Sequence, residues 1–344
     1  MPAERPPFLE FTGLAVLVTA RCPFACAHCY TRSGPKREER LDLAWALPGL
    51  EAILPHVRAV SLTGGEPFLE PELVVALARQ VGGRVPVSVV SAGDFAREPG
   101  EAARTLAAFR EAGVVLVNLS HDAHHAPFGG LELVISAARL CQAAGLPVIV
   151  QLTGRPGEPA VAEATRRLRA AGVDLFRAEL SPFGRAERLP PELFGGSEAA
   201  TEGGCSNLRF LSLDYRGVLR ACCGPTLDCG PESAYVLADL AAGDDPGAAL
   251  QAARHDRVLA GVAALGPRAL AACLGRETSS EVPVCKTCVE LLSDPEATRR
   301  LDALLSSREQ ERRLVASQMI FRETFERDFD EAFASVGEDG VGRG

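Results

Sequence analysis

The chain has 344 residues, with 36 Lys and Arg against 45 Asp and Glu, a net charge of −9, and eleven cysteines. That balance, without any long Lys/Arg cluster, argues against binding nucleic acid or an anionic membrane by phosphate neutralisation, and no apolar run approaches the ~20 residues of a membrane helix. The opening MPAERPPFLE lacks the charged-then-apolar order of a secretory signal, so the expected location is cytoplasmic, where an odd number of thiols points to metal or cluster ligation rather than disulfides.

Apolar runs of strand length fall at 14–19, 59–63, 86–90, 114–119, 147–152 and 175–180, and helical patterns lie between them near 41–54, 70–82, 98–112, 130–144 and 157–172. Six strands alternating with helices predict an α/β fold with a parallel sheet. Polar, Gly-containing or Cys-containing segments follow each strand directly, as in β/α barrels that build their sites at the C-terminal strand ends. The expected first domain is therefore a partial (β/α)6 TIM-like barrel over 1–190. Residues 191–292 read as a small α+β domain with a hairpin over 210–221, turning at 214–217, and an Ala-rich helical stretch from 233 to 275. Ser293-Asp294-Pro295-Glu296 reads as a helix start with Pro at the first helical position. It opens one long C-terminal helix to about 335, whose stripe of Leu301, Leu304, Leu305, Phe321, Phe325, Phe329 and Phe333 is expected to pack on the barrel. The Gly-rich tail, 336–344, is expected to be disordered.

Three thiols lie within the eight residues Cys22-Pro-Phe-Ala-Cys26-Ala-His-Cys29, in the segment after the first strand. Three thiolates can hold three irons of a four-iron cubane and leave the fourth open. A zinc site, normally built from two separated ligand pairs, fits this run poorly. The C-x3-C-x2-C run resembles the signature of the radical S-adenosylmethionine (SAM) enzymes. Gly64-Gly65-Glu66-Pro67, after the second strand, is similar to that family's GGEP segment. The resemblance implies a [4Fe-4S] radical SAM cluster on Cys22, Cys26 and Cys29, SAM bound at the open iron, and reductive cleavage of SAM to a 5′-deoxyadenosyl radical that abstracts a substrate hydrogen. Gly64 and Gly65 would let the backbone approach SAM, and Glu66 would complement its ammonium group. Ser91 and Ser120 are candidates for the ribose hydroxyls, each equally readable as a strand-end cap. Asp122 is an active-site candidate by its strand-end position. His121, His124 and His125 read as solvated or cofactor-contacting side chains rather than a metal site.

A second set follows: Cys205, Cys222, Cys285 and Cys288. Alone, these four fit a zinc ribbon equally well. Their C-x11-G-x4-C and C-x2-C spacing resembles the twitch/SPASM auxiliary domain of radical SAM enzymes, which implies one auxiliary [4Fe-4S] cluster. Of the remaining thiols, Cys141 and Cys273 read as core residues, and Cys229 as a loop thiol or alternative ligand. Cys223 follows a predicted ligand and, if the chain alternates as in a strand, points the other way. A thiol facing the barrel could return hydrogen to a substrate carbon radical with inverted configuration, as in the peptide epimerases that this architecture resembles; a fourth-ligand or spare-thiol reading stands beside it. The expectation is a peptide-modifying enzyme, with L-to-D epimerisation as the specific reaction. The alternatives are two-electron dehydrogenation or cross-linking of a small molecule or peptide, and a non-catalytic iron–sulfur or zinc protein. An external one-electron donor such as flavodoxin or ferredoxin is implied. With the barrel starting within a dozen residues, no N-terminal peptide-recognition domain is expected, so a peptide would bind in the barrel or through a partner.

Overall fold

The computed structural model describes residues 6–155, 157–194, 203–224, 227, 229–279 and 283–338, with side chains to 325. Six parallel strands, β1 (Gly13–Thr19), β2 (Val60–Gly64), β3 (Val87–Ser91), β4 (Val114–His121), β5 (Val148–Thr153) and β6 (Asp174–Ala178), lie side by side in chain order. Helices α1 (Leu43–Ile53), α2 (Pro71–Val81), α3 (Pro99–Glu111), α4 (Leu131–Ala143) and α5 (Pro159–Ala170) connect them. This is the expected partial barrel, open at β6, which pairs only with β5 among the described residues. β1 is buried along its whole length, so its apolar run is continuous rather than alternating.

The sheet does not stop at β6 and β1. β7 (Phe210–Leu213) runs parallel to the other edge of β1, β8 (Val218–Arg220) pairs antiparallel with β7, and β9 (Val236–Asp239) pairs antiparallel with β8, giving the order β6-β5-β4-β3-β2-β1-β7-β8-β9. The predicted hairpin is present, with Asp214 and Gly217 closing its turn. The helical reading of 233–275 fails at its start: 236–239 is a strand, because Val236 and its neighbours pair with β8, an interaction that local Ala content does not reveal. The rest divides into α6 (Pro246–Ala253), α7 (Arg257–Leu265) and α8 (Pro267–Cys273), followed by α9 (Val284–Leu292).

The predicted C-terminal helix begins as expected, with Asp294 capping the amides of Glu296 and Ala297 and Pro295 following. It is two helices, α10 (Pro295–Leu305) and α11 (Arg308–Glu338), because Ser306 ends the first and Ser307 Oγ accepts from Gln310 N to start the second. α11 runs three residues into the span expected to be tail, and 339–344 lie outside the described residues, as do the Phe329 and Phe333 side chains. Leu301 and Leu305 are buried, but α10 packs on α7 and α9 rather than on the barrel, and Leu304 is exposed. One apolar core runs from Phe8 to Leu314 and includes β7, β8 and α6 to α10. No helix is long and apolar enough to cross a membrane among the described residues.

Candidate functional site

The loop after β1 carries Cys22, Cys26 and Cys29 and is held from two sides. On one side, Gly65 N and Glu66 N donate to Thr19 O (2.6 Å) and Arg21 O (2.8 Å). A Cβ on Gly65 would sit 2.0 Å from Arg21 O, so the glycine is required by the approach of this backbone to the cysteine loop. On the other side, Arg185 donates from Nε to Cys26 O (2.8 Å) and from Nη1 to Ser33 O (2.6 Å), while its amide donates to Cys29 O (3.0 Å). Gly184 turns there with φ +67°, and a Cβ would meet Tyr30 O at 2.4 Å. Two segments distant in sequence thus pin the loop through its carbonyls and leave its sulfurs turned away.

Cys22 and Cys26 form a small apolar cluster with Phe24, apart from the main core, against which Cys29 and Phe128 pack. Phe24 stacks on Phe128 at 5.5 Å. All three cysteines line a cavity of about 390 Å³. Burial, reinforced by Glu66, pushes the Cys22 thiol up to about 12. The same wall contains Gly64, Gly65, Ser91 and Ser120, from three consecutive strand ends. Ser91 is also a cap, accepting from Gly93 N at 2.9 Å. Glu66 is buried; its carboxylate accepts from Phe68 N (3.2 Å) and Ala92 N (3.0 Å), and burial raises it to about 7 despite these bonds. Pro67 opens the short turn that follows.

Asp122 lies behind the wall and reaches the cavity through two histidines. Its Oδ1 accepts from His124 N (2.7 Å) and His125 N (2.9 Å), and its Oδ2 lies 2.7 Å from His125 Nδ1 and 3.2 Å from His28 Nε2. Burial opposes its charge, yet the two histidines hold its carboxyl far below the carboxylate range. His125 meets Cys26 on its other side; burial opposes its charge too, but Asp122 and then Cys26 raise it to about 10. His124 stacks on His28, and His121 is buried. Cys26, His28 and His125 bring donor atoms within 4.8 Å of one another. His28 and His125 carry roles the motif spacing did not reveal, because they become neighbours only when the loops after β1 and β4 meet.

The second set also converges. Cys285 and Cys288 stand one turn apart on α9, Cys222 follows β8, and Cys205 precedes β7. Electrostatic interactions join Cys222 to Cys223, Cys205 and Cys288, Cys223 to Cys205 and Cys285, and Cys288 to Cys205, Cys285 and Cys229. Cys229, also near Ser293 Oγ at 3.7 Å, belongs to this group. Cys222 is buried in the main core, whereas Cys223 lines the cavity shared with Cys22, Cys26 and Cys29. Their divergence does not come from strand alternation, since β8 ends at Arg220. Cys222 adopts φ +82°, a rare conformation for a non-glycine residue, with its carbonyl held by Ser212 Oγ at 2.9 Å. Tyr30 lies on the same cavity wall, under the influence of Cys223 and Cys222 as well as Cys29. Cys141 is fully buried as expected, but Cys273 is exposed: α8 buries Leu270 and Ala271, and Cys273 falls on its opposite side.

Three thiols on one cavity wall suit a cluster with an open iron, and the enclosed group supplies enough thiols to close another. The cavity also offers buried polar atoms without a protein partner: Arg185 Nη2, Asn118 Oδ1 and His28 Nδ1. Such atoms suit a polar ligand such as SAM.

The model of the Radical SAM superfamily matches residues 16–174. Among curated proteins, the chain is similar to GTP 3′,8-cyclase of Agrobacterium fabrum, 27% identical over 192 residues, covering 51% of this chain and 54% of that protein. It is also similar to PqqA peptide cyclase of Granulibacter bethesdensis, 25% identical over 193 residues, covering 51% and 50%. The alignments thus span about half the length of these relatives. A solved structure of Streptococcus suis SuiB bound to precursor peptide SuiA aligns over 69% of this chain and 66% of that one, with 13% identity and a TM-score of 0.39.

Proposed function

Residues 16–174 form a domain of the radical SAM superfamily, and from that premise we propose that the chain takes a hydrogen atom from an α-carbon of a peptide into 5′-deoxyadenosine, and that the Cys223 thiol gives a different, solvent-exchangeable hydrogen atom to the opposite face. One electron from the external donor and one proton from solvent would restore the resulting thiyl. Cys22, Cys26 and Cys29 would hold the [4Fe-4S] cluster. With SAM bound, such a cluster would supply the electron for reductive cleavage of the sulfonium C–S bond to a 5′-deoxyadenosyl radical. Gly64, Gly65, Ser91 and Ser120 would contact SAM along the cavity wall. Arg185 and the GGEP segment hold the cysteine loop in place. Glu66 acts through the backbone it organises, by fixing the amides of Phe68 and Ala92. Asp122 acts one step removed, by orienting His28 and His125.

The observation that carries the reading is that Cys223 lines the cavity while Cys222, beside it in sequence, lies in the core; Cys223 also stays within electrostatic reach of Cys205 and Cys285. Cys205, Cys222, Cys285 and Cys288 would close an auxiliary [4Fe-4S] cluster, and a flavodoxin or ferredoxin would supply electrons. A peptide substrate is supported by the likeness to PqqA peptide cyclase. Turnover in deuterated water tests the hydrogen donor: one solvent deuteron per inverted residue is expected, and Cys223→Ala should abolish its incorporation while 5′-deoxyadenosine still forms. Products without deuterium would sink epimerisation. The likeness to PqqA peptide cyclase also favours a second reading, oxidative cross-linking with the auxiliary cluster as electron acceptor. It predicts a product about two mass units lighter and activity that survives Cys223→Ala.

A further inference from the structure

Tyr235 is among the largest fully buried side chains of the protein, at 2% exposure. A phenol in such a place needs a hydrogen-bond partner. Its partner is a sulfur: Tyr235 Oη donates to Cys288 Sγ at 2.7 Å. Both ends of this contact are fixed by backbone. Ala221 N donates to Tyr235 O at 2.8 Å, tying the tyrosine to the segment that leads to Cys222. Ala234 N (2.8 Å) and Ser233 Oγ (3.1 Å) donate to Leu292 O, at the end of the helix that carries Cys288. Cys288 is itself buried, as are Leu291 and Leu292, so water does not compete for the sulfur. In the first set, Cys22 Sγ accepts from Phe24 N (3.4 Å), Cys29 Sγ lies 3.2 Å from Thr31 Oγ1, and Cys26 meets His125, all beside the cavity rather than in the main core.

We infer that Tyr235 is a positioning residue that raises the reduction potential of the second cluster through its hydrogen bond to Cys288. This rests on the reading of Cys205, Cys222, Cys285 and Cys288 as that cluster's ligands. An O–H dipole aimed at a ligand sulfur stabilises the more negative, reduced cluster more than the oxidised one, and dry surroundings strengthen the effect. A higher potential makes the second site a better electron acceptor.

The test uses the full chain carrying Cys22→Ala, Cys26→Ala and Cys29→Ala, reconstituted anaerobically with iron and sulfide, so that about four irons per chain report the second site alone. A redox titration followed by electron paramagnetic resonance is expected to show a lower midpoint in Tyr235→Phe. The reduced-to-oxidised ratio at fixed potential should fall about tenfold, about 59 mV for a one-electron couple. Replacing the three tyrosines with 3,5-difluorotyrosine strengthens the phenol as a donor and should move the midpoint the other way. Iron retained with both midpoints unmoved overturns the role of Tyr235. No iron in the Tyr235-containing protein overturns the ligand reading, and the inference with it.

Discussion

The two thiol sites differ in what their sulfurs lie against. Cys22, Cys26 and Cys29 sit outside the main core, in a small cluster with Phe24 and Phe128 that faces a cavity of about 390 Å³. Cys222 and Cys288 are part of the main core, and Cys205 and Cys229 pack on it. The first loop is held through carbonyls and amides, by Arg185 and by Gly65 and Glu66, which leaves its face free of packing, as the proposed cluster with an open coordination position would need. A site that closes on itself can be built into the core and buttressed by buried side chains such as Tyr235. The first arrangement gives access, the second insulation.

The largest effect that separates the sites is the loss of any thiol of the first set. Cys22→Ala, Cys26→Ala or Cys29→Ala should abolish 5′-deoxyadenosine formation while iron persists at the second site, as measured by iron analysis beside product chromatography. If any of the three substitutions empties both sites, the sites are not independent.

The second site should instead fail through the fold. Asp214, fully buried, takes Arg220 at 2.9 Å and Arg216 at 2.7 Å at the hairpin turn. Asp214→Ala leaves Arg220 buried and uncompensated, at a cost of about 3–5 kcal/mol, readable as a lower urea midpoint. Burial opposes the Asp214 charge, but the bond from Arg216 and then the charge of Arg220 hold its carboxyl below the ordinary range. Its contribution is therefore complete above about pH 3.9 and disappears as pH falls through its lower folded value. Acid titration of Asp214→Asn should lack that component.

A smaller effect tests how the first site is supported from behind. Asp122→Asn keeps the caps on His124 and His125 but removes the charge that His28 and His125 share. It should slow SAM cleavage about 10–100-fold, the usual range for residues that orient a metal site's surroundings, with iron at the second site unchanged. A stopped assay of 5′-deoxyadenosine checks the rate, and an unchanged rate would remove Asp122 from the site.

Much of this was legible in the chain. The strand runs and the glycines at Gly113, Gly145 and Gly172 mark the barrel units, since all three sit in left-handed conformations beyond helix ends. Local rules could not find β9, which exists only by pairing with β8, or the break at Ser306 and Ser307 inside a continuing apolar stripe. Cys273 was misread for a related reason: an apolar helix says which residues are spaced to be buried, and only packing on Leu270 and Ala271 says which side is covered.

Spacing by itself brings together Cys22, Cys26 and Cys29, and separately Cys285 and Cys288, because residues that share a loop or a helical turn are close whatever the rest of the chain does; that Cys205 and Cys222 join the latter pair is tertiary. Tertiary structure decided the rest. It brought the loops after β1 and β4 together, so that Asp122 reaches His28 and His125, and it set Arg185 against the carbonyls of a loop about 160 residues earlier. It turned Cys222 into a left-handed conformation that sends Cys223 to the cavity, and it buried Tyr235 against Cys288. Each of these depends on the approach of segments distant in sequence, and only the packing of the whole core determines that distance.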